Sequence, residues 1–92
     1  MKVVIRESAE DDLDRVFAYI AQDNPTAAPA MVARIRDQIS FLETDSLADM
    51  GRPGRDPATR ELIEYPYIIV YEVHDDRGEV EVLAVVHGAR DR

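Results

Sequence analysis

The stretch YIIVYEVHDDRGEVEVLAVVH, residues 67–87, decides the fold. Tyr67 to Val73 and Val80 to His87 are runs of β-branched and aromatic residues, and Asp75-Asp76-Arg77-Gly78 between them is turn chemistry. The pair is expected to form an antiparallel hairpin. Tyr67, Ile69, Tyr71 and Val73 share one face of the first run, with Ile68 and Val70 on the other. In the second run, strict alternation sets Val80, Val82, Ala84 and Val86 against Leu83 and Val85. Both faces are therefore apolar. A helical layer covers only one of them, so a partner protein is expected on the second.

Upstream, residues 59–65 alternate as a further strand, with Leu62 between Arg60 and Glu64. The glycines and prolines of Gly51-Arg52-Pro53-Gly54-Arg55-Asp56-Pro57 mark the preceding segment, from Asp45 to Ala58, as a loop. Before it come two helical stripes. Leu13, Val16, Phe17 and Ile20 repeat at helical spacing within residues 8–22, behind a Ser8–Asp11 capping box. Ala28, Met31, Val32, Ile35, Ile39 and Leu42 continue a second helix, started by Asn24-Pro25. So short a connection makes the helices antiparallel. Val3 and Ile5 give a short first strand. The predicted order is β-α-α-β-β-β over one domain, residues 1–92. This is an α+β fold with an N-terminal helical hairpin on one face of a mainly antiparallel sheet.

The 92 residues contain no cysteine, which excludes disulfide staples and thiolate zinc sites. No apolar run is long enough for a secretion signal or a membrane span, so a cytoplasmic protein without membrane contact is expected. A net charge of −8 opposes non-specific coating of nucleic acid. Phosphate-binding glycine loops and nucleophile elbows are absent, and Ser8, Ser40 and Ser46 lack a nucleophile's context. His74, Asp75 and Asp76 read as turn residues rather than metal ligands. No cofactor, metal or small-molecule substrate is expected.

Three segments in this order resemble one family: Gly51-Arg52-Pro53-Gly54-Arg55 with Thr59-Arg60-Glu61-Leu62, Tyr65-Pro66-Tyr67-Ile68-Ile69-Val70-Tyr71, and Val85-Val86-His87-Gly88-Ala89-Arg90. Ser8-Ala9, Asp12-Leu13 and Asn24-Pro25 extend the likeness through the N-terminal half. The chain resembles the ParE/RelE toxin superfamily, and its ParE-like branch most. The resemblance implies the β-α-α-β-β-β fold and a co-encoded antitoxin as partner. It also implies one of two targets. ParE-type members trap the cleaved-DNA complex of DNA gyrase, whereas RelE-type members cut messenger RNA on the ribosome.

The RelE-type reaction needs groups that activate a 2′-hydroxyl, stabilise a phosphorane and protonate the leaving oxygen. By resemblance, Arg60 matches a sheet arginine, His87 an end-of-strand histidine, and Arg90 completes the set of a nuclease reading. The family's sheet lysines are missing, because Lys2 is the only lysine, and no tyrosine follows His87. A non-enzymatic gyrase inhibitor is therefore expected, with the ribonuclease and a non-toxic antitoxin-binding relic as the alternatives. His87 also has a purely structural reading, capping the core from the end of its strand. Arg52, Arg55, Arg60 and Arg90 are the candidate contacts to target or partner, against a reading as surface ion pairs with Asp56, Glu61 and Glu64. Arg92 falls under the same reading. Phe17, Ile20, Tyr67 and Tyr71 are the expected antitoxin-facing apolar residues.

Overall fold

A computed structural model describes residues 1–44 and 51–90. Strand β1 (Lys2–Ile5) leads into helices α1 (Glu7–Ala21) and α2 (Ala27–Phe41). Strands β2 (Arg52–Pro53), β3 (Arg60–Glu64), β4 (Tyr67–His74) and β5 (Glu79–His87) complete one sheet, ordered β1-β5-β4-β3-β2. Only the β1–β5 pairing is parallel. The α+β architecture and the sequence-predicted order hold, with β2 added. This two-residue strand falls inside the segment expected to be loop, and Pro53 is tolerated because β2 is an edge strand. The first part of that segment, 45–50, lies outside the described residues, as does Ser46.

The helices start differently from the expected pattern. Arg6, not Ser8, occupies the cap position of α1 and offers no side-chain cap. The Ser8 hydroxyl instead donates to the Leu83 carbonyl across the sheet edge, at 3.0 Å. At α2 Thr26 occupies the cap position without a side-chain cap, and Asn24, two residues earlier, reaches in instead: its Oδ1 accepts the Ala27 N–H at 3.1 Å. Leu13 and Val16 of α1 and Ile35 and Ile39 of α2 are buried against the sheet. Among the described residues the fully buried alanines are Ala9 and Ala28, whereas Ala18, Ala30 and Ala33 of the helices are exposed. Arg36 closes the helical hairpin with a two-pronged bond to Glu10, at 3.0 and 3.3 Å.

The central hairpin departs from strict alternation. Val70 faces Ala84 but Tyr71 faces Val82, so Leu83 is an extra residue in β5. This bulge reverses the facing of everything after it. Val80, Val82, Val85 and His87 lie on the helix side with Tyr71, Ile69 and Tyr67, while Ala84 and Val86 join Ile68 and Val70 on the opposite side. Two of the expected partner-facing residues are thereby corrected. Tyr67 and Tyr71 are 2% and 0% exposed, sealed by the chain's own helices. A side chain in that position contributes to this chain's core and has no surface to offer.

Beyond Val82, β5 runs past the end of β1, which leaves backbone groups without a neighbouring strand. Helix α1 supplies them. The Asp12 carboxylate accepts the Val85 N–H at 2.9 Å and also pairs with Arg15. Asp12 is thus an edge-sealing group, half-buried on α1. Asp12→Ala is expected to lose about 1 kcal/mol of stability by orphaning that donor, whereas Asp12→Asn retains an acceptor and most of the loss is avoided. Denaturant melts of the two variants check this, and equal losses would refute it.

Candidate functional site

The three residues of the nuclease reading do not converge. Arg60 stands opposite Tyr71 and His87 opposite Tyr67. Those positions are four residues apart on β4, about 13 Å along the strand, with β4 itself in between. The Arg60 guanidinium is turned toward the β2 side, where it donates to the Gly51 carbonyl at 3.0 Å. Glu64, named above as an ion-pair partner for the surface arginines, is engaged by α2: Gln38 donates to it at 3.4 Å and Arg34 lies 3.8 Å away.

His87 closes the C-terminal corner. Its ring meets Tyr67 edge-on at 5.5 Å. Its Nδ1 accepts the backbone N–H groups of Ala89 and Arg90 at 3.2 and 3.0 Å. An acceptor nitrogen carries no proton, so the ring proton sits on Nε2. The tail then turns back over α1, and the Arg90 guanidinium stacks on the Tyr19 ring, 4.2 Å from its centre. Asp12, Arg15, Tyr19, Gln22, Val86 and Arg90 line an open groove of about 620 Å³ between α1 and β5. Arg90 lines this groove, whereas Arg52 and His87 line a second one of about 610 Å³, with Ile63, Tyr65, Ile68 and Gly88.

Arg52 pairs with the buried carboxylate of Glu61 at 3.1 Å, which favours its ion-pair reading. Arg55 is exposed on the loop, and Arg92 lies outside the described residues. Ile20 packs at the margin of the core, while Phe17 is 43% exposed and available to a partner. On the far face of the sheet, Ile63 is exposed and Val70, Ala84 and Val86 are half-buried; Ile68 is buried beneath the turn at Gly88. That face is less bare than alternation alone suggested, though not sealed.

The profile of the family "ParE toxin of type II toxin-antitoxin system, parDE" matches residues 3–92. The chain belongs to the ParE toxin family. The toxin is 45% identical over 80 residues to the Y4kP protein of Sinorhizobium fredii, covering 82% of this chain and 75% of that one. It is 37% identical over 82 residues to Toxin RelE2 of Caulobacter vibrioides, covering 86% and 85%. Its fold matches a chain of the chromosomal ParDE system of Pseudomonas aeruginosa with a TM-score of 0.83 at 23% identity, covering 95% of each. The RelBE2 toxin–antitoxin complex of Mycobacterium tuberculosis holds a second match, with a TM-score of 0.69 at 21% identity over 94% of this chain and 88% of that one. The ParE/RelE reading of the sequence therefore stands, at the level of a toxin of a type II toxin–antitoxin system.

Sequence reasoning missed two surface features of the toxin. Tyr19 was not singled out, although its place one turn before Gln22 on α1 sets it under the tail. Nor were Glu72 and Glu81, which the strand register places directly opposite each other. His74 lies against both, 3.1 Å from Glu81 and 3.6 Å from Glu72. Hydrogen bonds from the His74 ring and the Arg6 guanidinium hold the Glu81 carboxyl below the usual carboxylate range.

Proposed function

We propose that this toxin inhibits DNA gyrase by trapping its cleaved-DNA complex and that a cognate antitoxin neutralises it. The carrying observation is the separation of Arg60 from His87, together with the use of His87 Nδ1 as a backbone acceptor. Phosphodiester cleavage needs an acid, a base and cationic groups around one phosphate, and in this chain Arg60 is offset from His87 by four residues of β4 and lies across that strand from it. A non-enzymatic grip on a macromolecule makes no such demand. It needs exposed, oriented groups, and the Arg90–Tyr19 stack beside the α1–β5 groove offers them. The antitoxin partner is supported by the matched solved structures, a ParDE system and a RelBE2 complex. Phe17, Phe41 and Ile63 are among the exposed apolar residues that such a partner would cover.

Induced expression in a bacterial host tests the reading. The expected result is growth arrest with an SOS response and gyrase–DNA cleavage complexes recoverable from lysates, all reversed by co-expressing the adjacent antitoxin gene. Codon-phased cuts in messenger RNA would instead establish the ribonuclease, and unimpaired growth the non-toxic relic. Cytoplasmic action is part of the same proposal, since gyrase and its DNA are there.

A further inference from the structure

The register of β4 and β5 sets two carboxylates, Glu72 and Glu81, directly across from each other on the sheet face away from the helices. Like charges in that relation repel unless a cation lies between them. Next to them on β4, two residues along and so on the same face, stands His74. One ligand atom from each of the three falls within 4.8 Å of the others. The His74 Nε2 is 3.1 Å from Glu81 Oε1 and 3.6 Å from Glu72 Oε2.

We propose that Glu72, His74 and Glu81 form a binding site for a divalent zinc ion. Zinc takes imidazole nitrogen and carboxylate oxygen at about 2.0–2.2 Å in tetrahedral geometry, and such ligands stand about 3.3 Å from one another. The two His74 separations bracket that spacing and the Glu72–Glu81 pair lies within 4.8 Å, so side-chain rotations bring the atoms into position. Magnesium and calcium fit less well, since they want six or more oxygen donors and this site offers an imidazole and two carboxylates. Arg6 does not compete for the position. Its guanidinium bonds Glu81 Oε2, at 2.9 and 3.0 Å, and leaves Oε1 facing His74.

Access and charge agree. The side chains are 20–29% exposed, open enough for an ion to enter and covered enough to be held in place. With three protein donors, the fourth position faces solvent, where water or a donor from a second chain completes the shell. This site is separate from the α1–β5 groove, and its existence does not depend on the target of the toxin.

Titration of the full-length protein with zinc chloride, followed by calorimetry and by the imidazole signals in heteronuclear NMR, tests the proposal. The expected result is one ion per chain, with a dissociation constant on the order of 10 µM or tighter and a zinc-dependent shift of the His74 ring. Glu72→Gln, His74→Gln and Glu81→Gln, each checked for folding by circular dichroism, should each weaken binding at least about tenfold. Absence of binding, undiminished affinity in any folded variant, or a shift of the His87 ring in place of His74 would overturn it. The NMR arm uses the unaltered chain and decides the matter even where a variant fails to fold.

Discussion

Tyr71→Ala is expected to cost about 3–5 kcal/mol of unfolding free energy, the range for truncating a fully buried aromatic. Tyr71 is 0% exposed at the centre of the shared core, packed with Ile69, Val80 and Val82. Its hydroxyl also accepts the Gly51 N–H at 3.2 Å, so the ring ties the core to the segment leading into β2. A domain of this size has only about 5–15 kcal/mol in total. The loss should lower Tm by roughly 12 °C or more, and the variant should populate unfolded chain at growth temperature. Tyr71→Phe keeps the ring and removes only the hydrogen bond, an expected loss of about 1 kcal/mol. Tyr65→Ala serves as the surface comparison, because Tyr65 is 84% exposed and should change stability by no more than about 0.5 kcal/mol. These values also separate the two readings of Tyr71. A partner-facing tyrosine would leave the isolated chain's Tm almost unchanged on truncation and would weaken partner binding instead.

Much of the fold was written in local pattern. The stripes of α1 and α2, the Asn24 cap and the Asp75–Gly78 turn were legible because each depends on neighbours within a few residues. In that turn Gly78 takes a φ of +62°, which suits glycine. What escaped were the consequences of register. VEVLAVVH is apolar without a break from Val82 to Val86, so no residue type in it announces that Leu83 is the bulge. That one extra residue decides which side Val85 and His87 occupy. In the same way, Tyr67 and Tyr71 were legible as one face of a strand, yet which face the helices would cover is a long-range choice. The sequence places Glu72 and Glu81 nine residues apart on separate strands, and only the pairing makes them neighbours. Arg60 and His87 illustrate the reverse case: family resemblance joined them, and the register holds them four residues apart on opposite sides of β4.

Gly51→Ala is the second substitution with a large expected effect, about 1–3 kcal/mol of destabilisation. The reason is steric and not conformational. Among the described residues the only glycine with positive φ is Gly78, so alanine can adopt the backbone of Gly51. On that ground alone the change would stabilise by about 0.4–1 kcal/mol, through a less free unfolded chain. The added Cβ, however, would lie 2.1 Å from the Tyr71 hydroxyl oxygen, 2.9 Å from the ring carbon bearing it and 3.0 Å from the Glu61 carbonyl. The first two belong to a ring locked in the core and the third to the backbone of β3, so none yields at low cost. Overpacking wins over chain entropy, and the Gly51–Tyr71 hydrogen bond is lost with it. In a Tyr71→Phe background the worst contact is gone while the other two persist. Gly51→Ala should therefore cost less there, with a coupling of about 0.5–1 kcal/mol in a double-mutant cycle followed by urea denaturation. A neutral or stabilising Gly51→Ala would mean that the β2 segment does not close on Tyr71 as described. Equal costs in the two backgrounds would place the strain at the Glu61 carbonyl instead of the hydroxyl.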